Sequence, residues 1–140
     1  MTKVFFYHNV QDRLGAACSL LARAWAQKKD FTVFVPAPEQ AQLLDRLLWT
    51  RFPLSFLPHC HDRSPLAAET PILLTQDLQA PRQDQRLLNL GDEIPPNFER
   101  FTNLIEVVSQ ADEDKIQARQ RFKHYKAHGH EIVAVDMAPR

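Results

Sequence analysis

Apolar residues recur along this chain in two periods. Residues 3–8, KVFFYH, form a short run of aromatic and β-branched types and read as a strand. After the turn-like NVQDR, the segment LGAACSLLARAWAQKK places Leu14, Ala17, Leu21, Ala24 and Trp25 at three- and four-residue steps, which is the period of a helix. Lys28 and Lys29 close it at the end where a helix dipole favours cations. FTVFVP, residues 31–36, reads as a buried strand ended by a proline that cannot donate to a ladder. From Pro38, PEQAQLLDRLLWTR opens with a proline and an acid and sets Leu43, Leu44, Leu47 and Leu48 on one stripe, a second helix.

Further along, residues 52–68 carry Pro53, Pro58 and Pro65 and are expected to form a surface loop. PILLTQD and QRLLNLGD follow as two short strands, PPNFERFTN as a short helix, and LIEVVS, residues 104–109, as another strand. Residues 112–128 make the last helix, and EIVAVDM closes the sheet. Strands alternating with helices at these lengths imply an α/β fold, a mostly parallel sheet with helices on both faces and right-handed crossovers. No repeat or linker interrupts the pattern, so residues 1–140 are expected to form a single domain.

Composition narrows the chemistry. With 140 residues, 44% of them hydrophobic, the chain can bury one core. Lys+Arg 17 against Asp+Glu 17 leaves no net charge, so any attraction to an anion has to be local. Cys18 and Cys60 follow no C-x-x-C spacing and suit free thiols in a reducing compartment. His8, Asn9 and Asp12 break the first apolar run before it could serve as a signal peptide. No apolar segment approaches the roughly 18 residues of a membrane span, so the expected location is the cytoplasm.

The first strand-to-helix turn, HNVQDRLGA, is where an α/β domain of this kind would carry a phosphate-binding glycine loop. Gly15, Gly91 and Gly129 are the only glycines, which excludes G-x-G-x-x-G and P-loop devices. In PHCHD, alternation along an extended segment lets at most His59 and His61, or Cys60 and Asp62, converge, and nothing distant completes a metal set. The serines lack a G-x-S-x-G setting, and a Cys60–His pair would need an orienting third group and an oxyanion site that no motif in the sequence supplies. No metal or cofactor is expected. A small-ligand or nucleotide-handling enzyme on the same fold remains the alternative reading.

The stretch KIQARQRFKHYKAHGH concentrates cations near the end of this neutral chain. Wound at about 100° per residue, it sets Lys115, Arg119, Phe122 and Lys126 in one narrow sector, with Lys123 further round. Two readings are open. Phe122 belongs to the core while the cations snorkel from its border, or Lys115 and Arg119 hold carboxylates while a pocket beside Phe122 takes an apolar side chain. Direct DNA binding is a third, weakened by the lack of basic clusters elsewhere and by Asp112, Glu113 and Asp114 at the helix start. DRLLWTRFPLSFLPH, residues 45–59, crowds Trp49, Phe52, Phe56 and Leu57 beside rigid prolines, as satellite core or as an interface anchor.

These same blocks carry a likeness. The opening FY strand, the helix with Cys18, EQAQLLDRLLWT, SFLPH, EVV near Glu106 and above all ARQRFKHYKAHG are similar to the chi subunit family of the bacterial DNA polymerase III holoenzyme. The last block resembles the family pattern A-R-x-R-Y-K-x-Y-R-x-x-G. The resemblance implies a Rossmann-like domain that binds no nucleotide and catalyses nothing itself. It further implies a domain that connects the clamp-loader complex to single-stranded DNA-binding protein, whose acidic carboxyl-terminal tail ends in an apolar residue. By position it assigns Lys115 and Arg119 to that tail, puts Phe122 where the family usually has tyrosine, and adds Lys126 and Val108 to the same pocket. Trp49, Phe52 and Phe56 match the surface that meets the partner psi, or a helicase competing for its place. DNA contact would be mainly indirect and the setting the replisome on the bacterial nucleoid, with no membrane contact.

Overall fold

The computed structural model describes residues 2–50, 58–61, 64, 70–78 and 83–137. Seven strands, β1 (Lys3–Val10), β2 (Phe31–Phe34), β3 (His59–His61), β4 (Ile72–Thr75), β5 (Arg86–Asn89), β6 (Asn103–Ser109) and β7 (Glu131–Asp136), join in one sheet of order β3-β4-β2-β5-β6-β1-β7. Every neighbouring pair is parallel, so the sheet is wholly rather than mostly parallel. Three helices cover it: α1 (Arg13–Ala26) and α2 (Pro38–Thr50) on one face, α3 (Asp112–Ala127) over β6 and β7 on the other. The Rossmann-like α/β expectation therefore holds. No helix among the described residues is long and apolar enough to cross a membrane.

The two-residue period of the strands sorts their side chains between two cores. Val33, Ile72, Leu74, Leu88, Ile105 and Val107 point to α1 and α2, where Cys18, Leu21, Leu44 and Leu48 meet them. Val4, Phe6, Phe34, Leu87, Leu104 and Val108 point to the α3 side, joined by Phe98, Phe101 and Tyr125. A bulge near the end of β1, where the pairing with β6 shifts between Tyr7 and Val10 and Asn9 takes φ 65°, turns Val10 back to the α1 core.

Helix ends follow from local chemistry. The Asp12 carboxylate accepts from the Gly15 N–H at 3.0 Å and caps α1. Lys28 and Lys29 lie just past α1, where the Lys28 N–H bonds the Trp25 carbonyl and the Lys29 N–H bonds that of Ala24. That is a Schellman turn with Lys28 in the left-handed position. The expected leucine stripe of α2 is narrower than four residues: Leu44 and Leu48 are buried, whereas Leu43 is 45% exposed. The short helix expected in PPNFERFTN is a single 3-10 turn at Phe98–Arg100.

One expectation is corrected. The prolines of residues 52–68 predict a loop, but His59–His61 pairs with β4 as an edge strand. Three residues are too few to show a period, and the nearest prolines, Pro58 and Pro65, flank the strand rather than interrupt it. Within it the His59 side chain is buried and its Nε2 lies 3.0 Å from Asp45 of α2. Asp62 lies outside the described residues, among which no group of three or more His, Cys, Asp or Glu side chains is placed to hold a metal.

Candidate functional site

A hollow of about 380 Å³ opens between α3 and the strands beneath it, lined by Phe6, Val108, Lys115, Ala118, Arg119 and Phe122 together with the polar His8, Asn9 and Ser109. Its floor is the end of β1 and β6, and its wall is one stripe of α3 at steps of three and four residues. Phe122 is half-buried, its ring 5.4 Å from that of Phe6, while Arg119 is exposed and Lys115 half-buried. Among the described residues neither cation is held in an ion pair. The arrangement offers an apolar slot with two uncommitted positive charges at its rim. Lys126 shares the angular sector but is exposed and outside this lining, because it lies about 6 Å further along the helix axis than Phe122.

What holds α3 over the strands is polar. The helix buries only Ala118, Arg121 and Tyr125, while Ile116 is 55% exposed. Glu106 of β6 is wholly buried beneath it, with one carboxylate oxygen accepting from Tyr125 Oη at 2.5 Å and from Arg121 Nε at 3.2 Å. Asn89 Nδ2 donates to both carboxylate oxygens at 3.0 and 3.1 Å and to the Glu93 carbonyl, and Arg121 Nη1 donates to the Asp92 carbonyl. Burial pushes the Glu106 carboxyl above the ordinary carboxylate range, against the opposing pull of Arg121, Tyr125 and Asn89. Burial also raises the Tyr125 hydroxyl, and the Glu106 carboxylate raises it further. Tyr125 is thus a fixed donor to Glu106, with Arg121 beside Phe122 in the chain setting the depth of the helix.

The crevice at the carboxyl ends of β1, β2, β5 and β6 is where folds of this kind bind dinucleotides. Here its acidic lining includes Asp12, Glu39, Asp92, Glu113 and Asp114. Its one cation among the described residues, Arg13, is turned inward: Nε donates to the Val107 carbonyl at 2.9 Å, Nη2 to the Gly91 carbonyl at 2.7 Å, and Nη1 pairs with Asp92 at 3.2 Å. Gly91 is pressed on Pro36, so that an added Cβ would stand 3.1 Å from the proline ring. The helix amino ends that elsewhere receive phosphate are already supplied with carboxylates, which repel it.

Trp49 on α2 is 55% exposed, with its ring set edge-on to His59 at 5.2 Å, and Asp45 one turn earlier holds His59 from the same helix. Trp49 therefore stands on a rigid base at the α2–β3 edge. Phe52 and Phe56 lie outside the described residues. Of the residues singled out from the sequence, Val108, Lys115, Arg119 and Phe122 come together around one hollow, and Trp49 stands apart on the opposite face of the sheet. Sequence reasoning missed the Glu106–Arg121–Tyr125 group. An acid inside the apolar run LIEVVS, facing an arginine and a tyrosine four residues apart on the next helix, was the available signal.

The family pattern described as "DNA polymerase III chi subunit, HolC" matches residues 1–133. A protein of Haemophilus influenzae named DNA polymerase III subunit chi is 35% identical over 117 residues, 81% of this chain and 79% of its own. Proteins of the same name are 28% identical over 136 residues in Pseudomonas aeruginosa, covering 94% of each chain, and 30% identical over 119 residues in Escherichia coli, covering 80% of this chain and 77% of that one.

Proposed function

The chain belongs to the DNA polymerase III chi subunit family, and on that premise we propose that it is a noncatalytic replication adaptor with two separate binding faces on one domain. The α3 hollow takes the acidic, apolar-ended tail of single-stranded DNA-binding protein, and the Trp49 edge meets the clamp-loader partner psi or a competing helicase. The observation that carries the first half is the pairing of an apolar slot, formed by Phe6, Val108 and Phe122, with the cations Lys115 and Arg119, which among the described residues form no ion pair. Charge steers a carboxylate-rich chain end to the rim, and burial of its last side chain holds it. Phe122 supplies the ring without a hydroxyl, so apolar contact alone acts there.

Titration calorimetry with a peptide ending in several acids and an apolar residue tests this reading. Arg119→Ala is expected to weaken binding by about 1.5–3 kcal/mol, the worth of a hydrogen bond to a charged group, with an unchanged melting temperature. Equal affinity in wild type and variant removes the site. Trp49→Ala is expected to leave peptide affinity unchanged while loosening capture of the clamp-loader partner, and loss of both activities together contradicts two independent faces.

A further inference from the structure

The α1 face carries a second hollow, of about 210 Å³, under the carboxyl half of α1 at the amino-terminal edge of the sheet. Phe5 and Tyr7 form its floor on β1 and Phe31 stands at the start of β2, while Arg23, Lys29 and Arg86 approach from α1, the turn after it and β5. Among the described residues no carboxylate lines it. Lys28 sits in the turn between the lining residues Gln27 and Lys29. Among the described residues Arg23, Lys28, Lys29 and Arg86 form no ion pair, and the Arg86 guanidinium donates from Nη1 to the Asp30 carbonyl at 3.3 Å. These cations are scattered over residues 23–86, and the fold alone assembles them on a chain of zero net charge.

Two features set this hollow apart from the one on α3. Gln27 and Asn103 line it, and among the described residues their carboxamides make no side-chain hydrogen bond, whereas Asn9 in the α3 hollow donates to Asp136; they leave donors and acceptors that a carboxylate-ended peptide does not need and a nucleobase edge does. The second feature is Lys28. The turn that ends α3 is built identically, with the Gly129 N–H on the Lys126 carbonyl and the His130 N–H on that of Tyr125, and it places Gly129 at φ 79° as such turns favour. At the end of α1 the same position, at φ 57°, is given to a lysine beside the cationic rim. Phe5 and Tyr7 are half-buried while Phe31 is buried behind them, and accessible rings with flanking cations are the combination by which proteins hold single strands, bases stacking on the rings and phosphates meeting the charges.

We propose that this hollow, formed by Phe5, Tyr7 and Phe31 with Arg23, Lys28, Lys29 and Arg86, binds a short segment of single-stranded nucleic acid, one base entering the slot and two or three phosphates lying on the rim. The site is on the opposite face of the sheet from the α3 hollow and does not depend on the tail reading.

Fluorescence anisotropy of a labelled oligothymidylate with the full-length protein alone, at low salt, tests it. For two or three phosphates a tenfold rise in salt weakens single-strand binding by about 25- to 125-fold. Arg23→Glu with Lys29→Glu, both exposed, is expected to weaken binding at least tenfold at constant melting temperature, Tyr7→Leu to weaken it severalfold, and Arg119→Ala to leave it unchanged. Absence of binding at low salt overturns the proposal, as does binding that survives the double reversal or that fails with Arg119→Ala. Inorganic polyphosphate competing as well as the oligonucleotide removes the base from the site. An acidic apolar-ended peptide that binds with the same dependence on Arg23 and Lys29 replaces nucleic acid by peptide.

Discussion

The two faces of one sheet are covered by different physics. On the α1 and α2 side the helices are held by apolar packing, Cys18, Leu21, Leu44 and Leu48 meeting the inward residues of β2, β4, β5 and β6. On the other side α3 has little apolar surface of its own and is held by Arg121 and Tyr125 on the buried carboxylate of Glu106, with Phe98 and Phe101 filling space around them. An apolar stripe fixes a helix by area, which tolerates small adjustments. A hydrogen-bonded charge fixes it by geometry, and it leaves the remaining stripe of α3, with Lys115, Arg119 and Phe122, open at the edge of a hollow.

The contrast breaks most sharply at Arg121. Arg121→Met leaves Glu106 buried without its cation and is expected to cost about 3–5 kcal/mol, read by urea unfolding. Adding Glu106→Leu and Tyr125→Phe, so that no charge or lone hydroxyl stays buried, is expected to recover most of that loss, because a buried ion pair replaced by well-packed apolar groups is often neutral. A triple variant as unstable as Arg121→Met alone would mean that the cost is one of packing.

On the apolar face, Leu21→Ala is expected to cost about 2–5 kcal/mol without changing the affinity of the α3 hollow for an acidic peptide in the fully folded protein. A parallel fall in that affinity would show that the two faces are not separately built.

The finest effect is in the pH profile. Because burial raises the Glu106 carboxyl above its ordinary value of 4.5, the folded state holds its proton to higher pH than the unfolded state does. From pH 4.5 up to the raised folded-state value, this group therefore subtracts stability as pH rises. Glu106→Gln removes that falling component, so the difference between variant and wild type should shift in the variant's favour as pH rises through the window. A constant difference contradicts the raised carboxyl.

Much of the architecture was legible because each element announces itself locally. FTVFV and LIEVVS are short apolar runs with β-branched residues, and LGAACSLLARAW repeats every three to four positions. The edge strand His59–His61 was not legible, since its pairing is made by β4 rather than by any pattern of its own. The α3 hollow was half legible: the helical period aligned Lys115, Arg119 and Phe122 on one helix, but Phe6 and His8 arrive from β1, more than a hundred residues earlier. The cationic cluster around Arg23, Lys29 and Arg86 was invisible along the chain, where no two neighbouring segments hold it.

The amino-acid sequence by itself determined the alternation of strands and helices, the want of a glycine loop and the cationic stripe of the last helix, because periodicity and residue type act over a few residues. Only the tertiary structure decided which charges are buried and which are free. It turned Arg13 inward onto backbone carbonyls, tied Arg121 to Glu106, and left Lys115 and Arg119 facing a slot. Identical guanidinium groups differ in this way because solvation and partners depend on what the fold brings within a few ångströms.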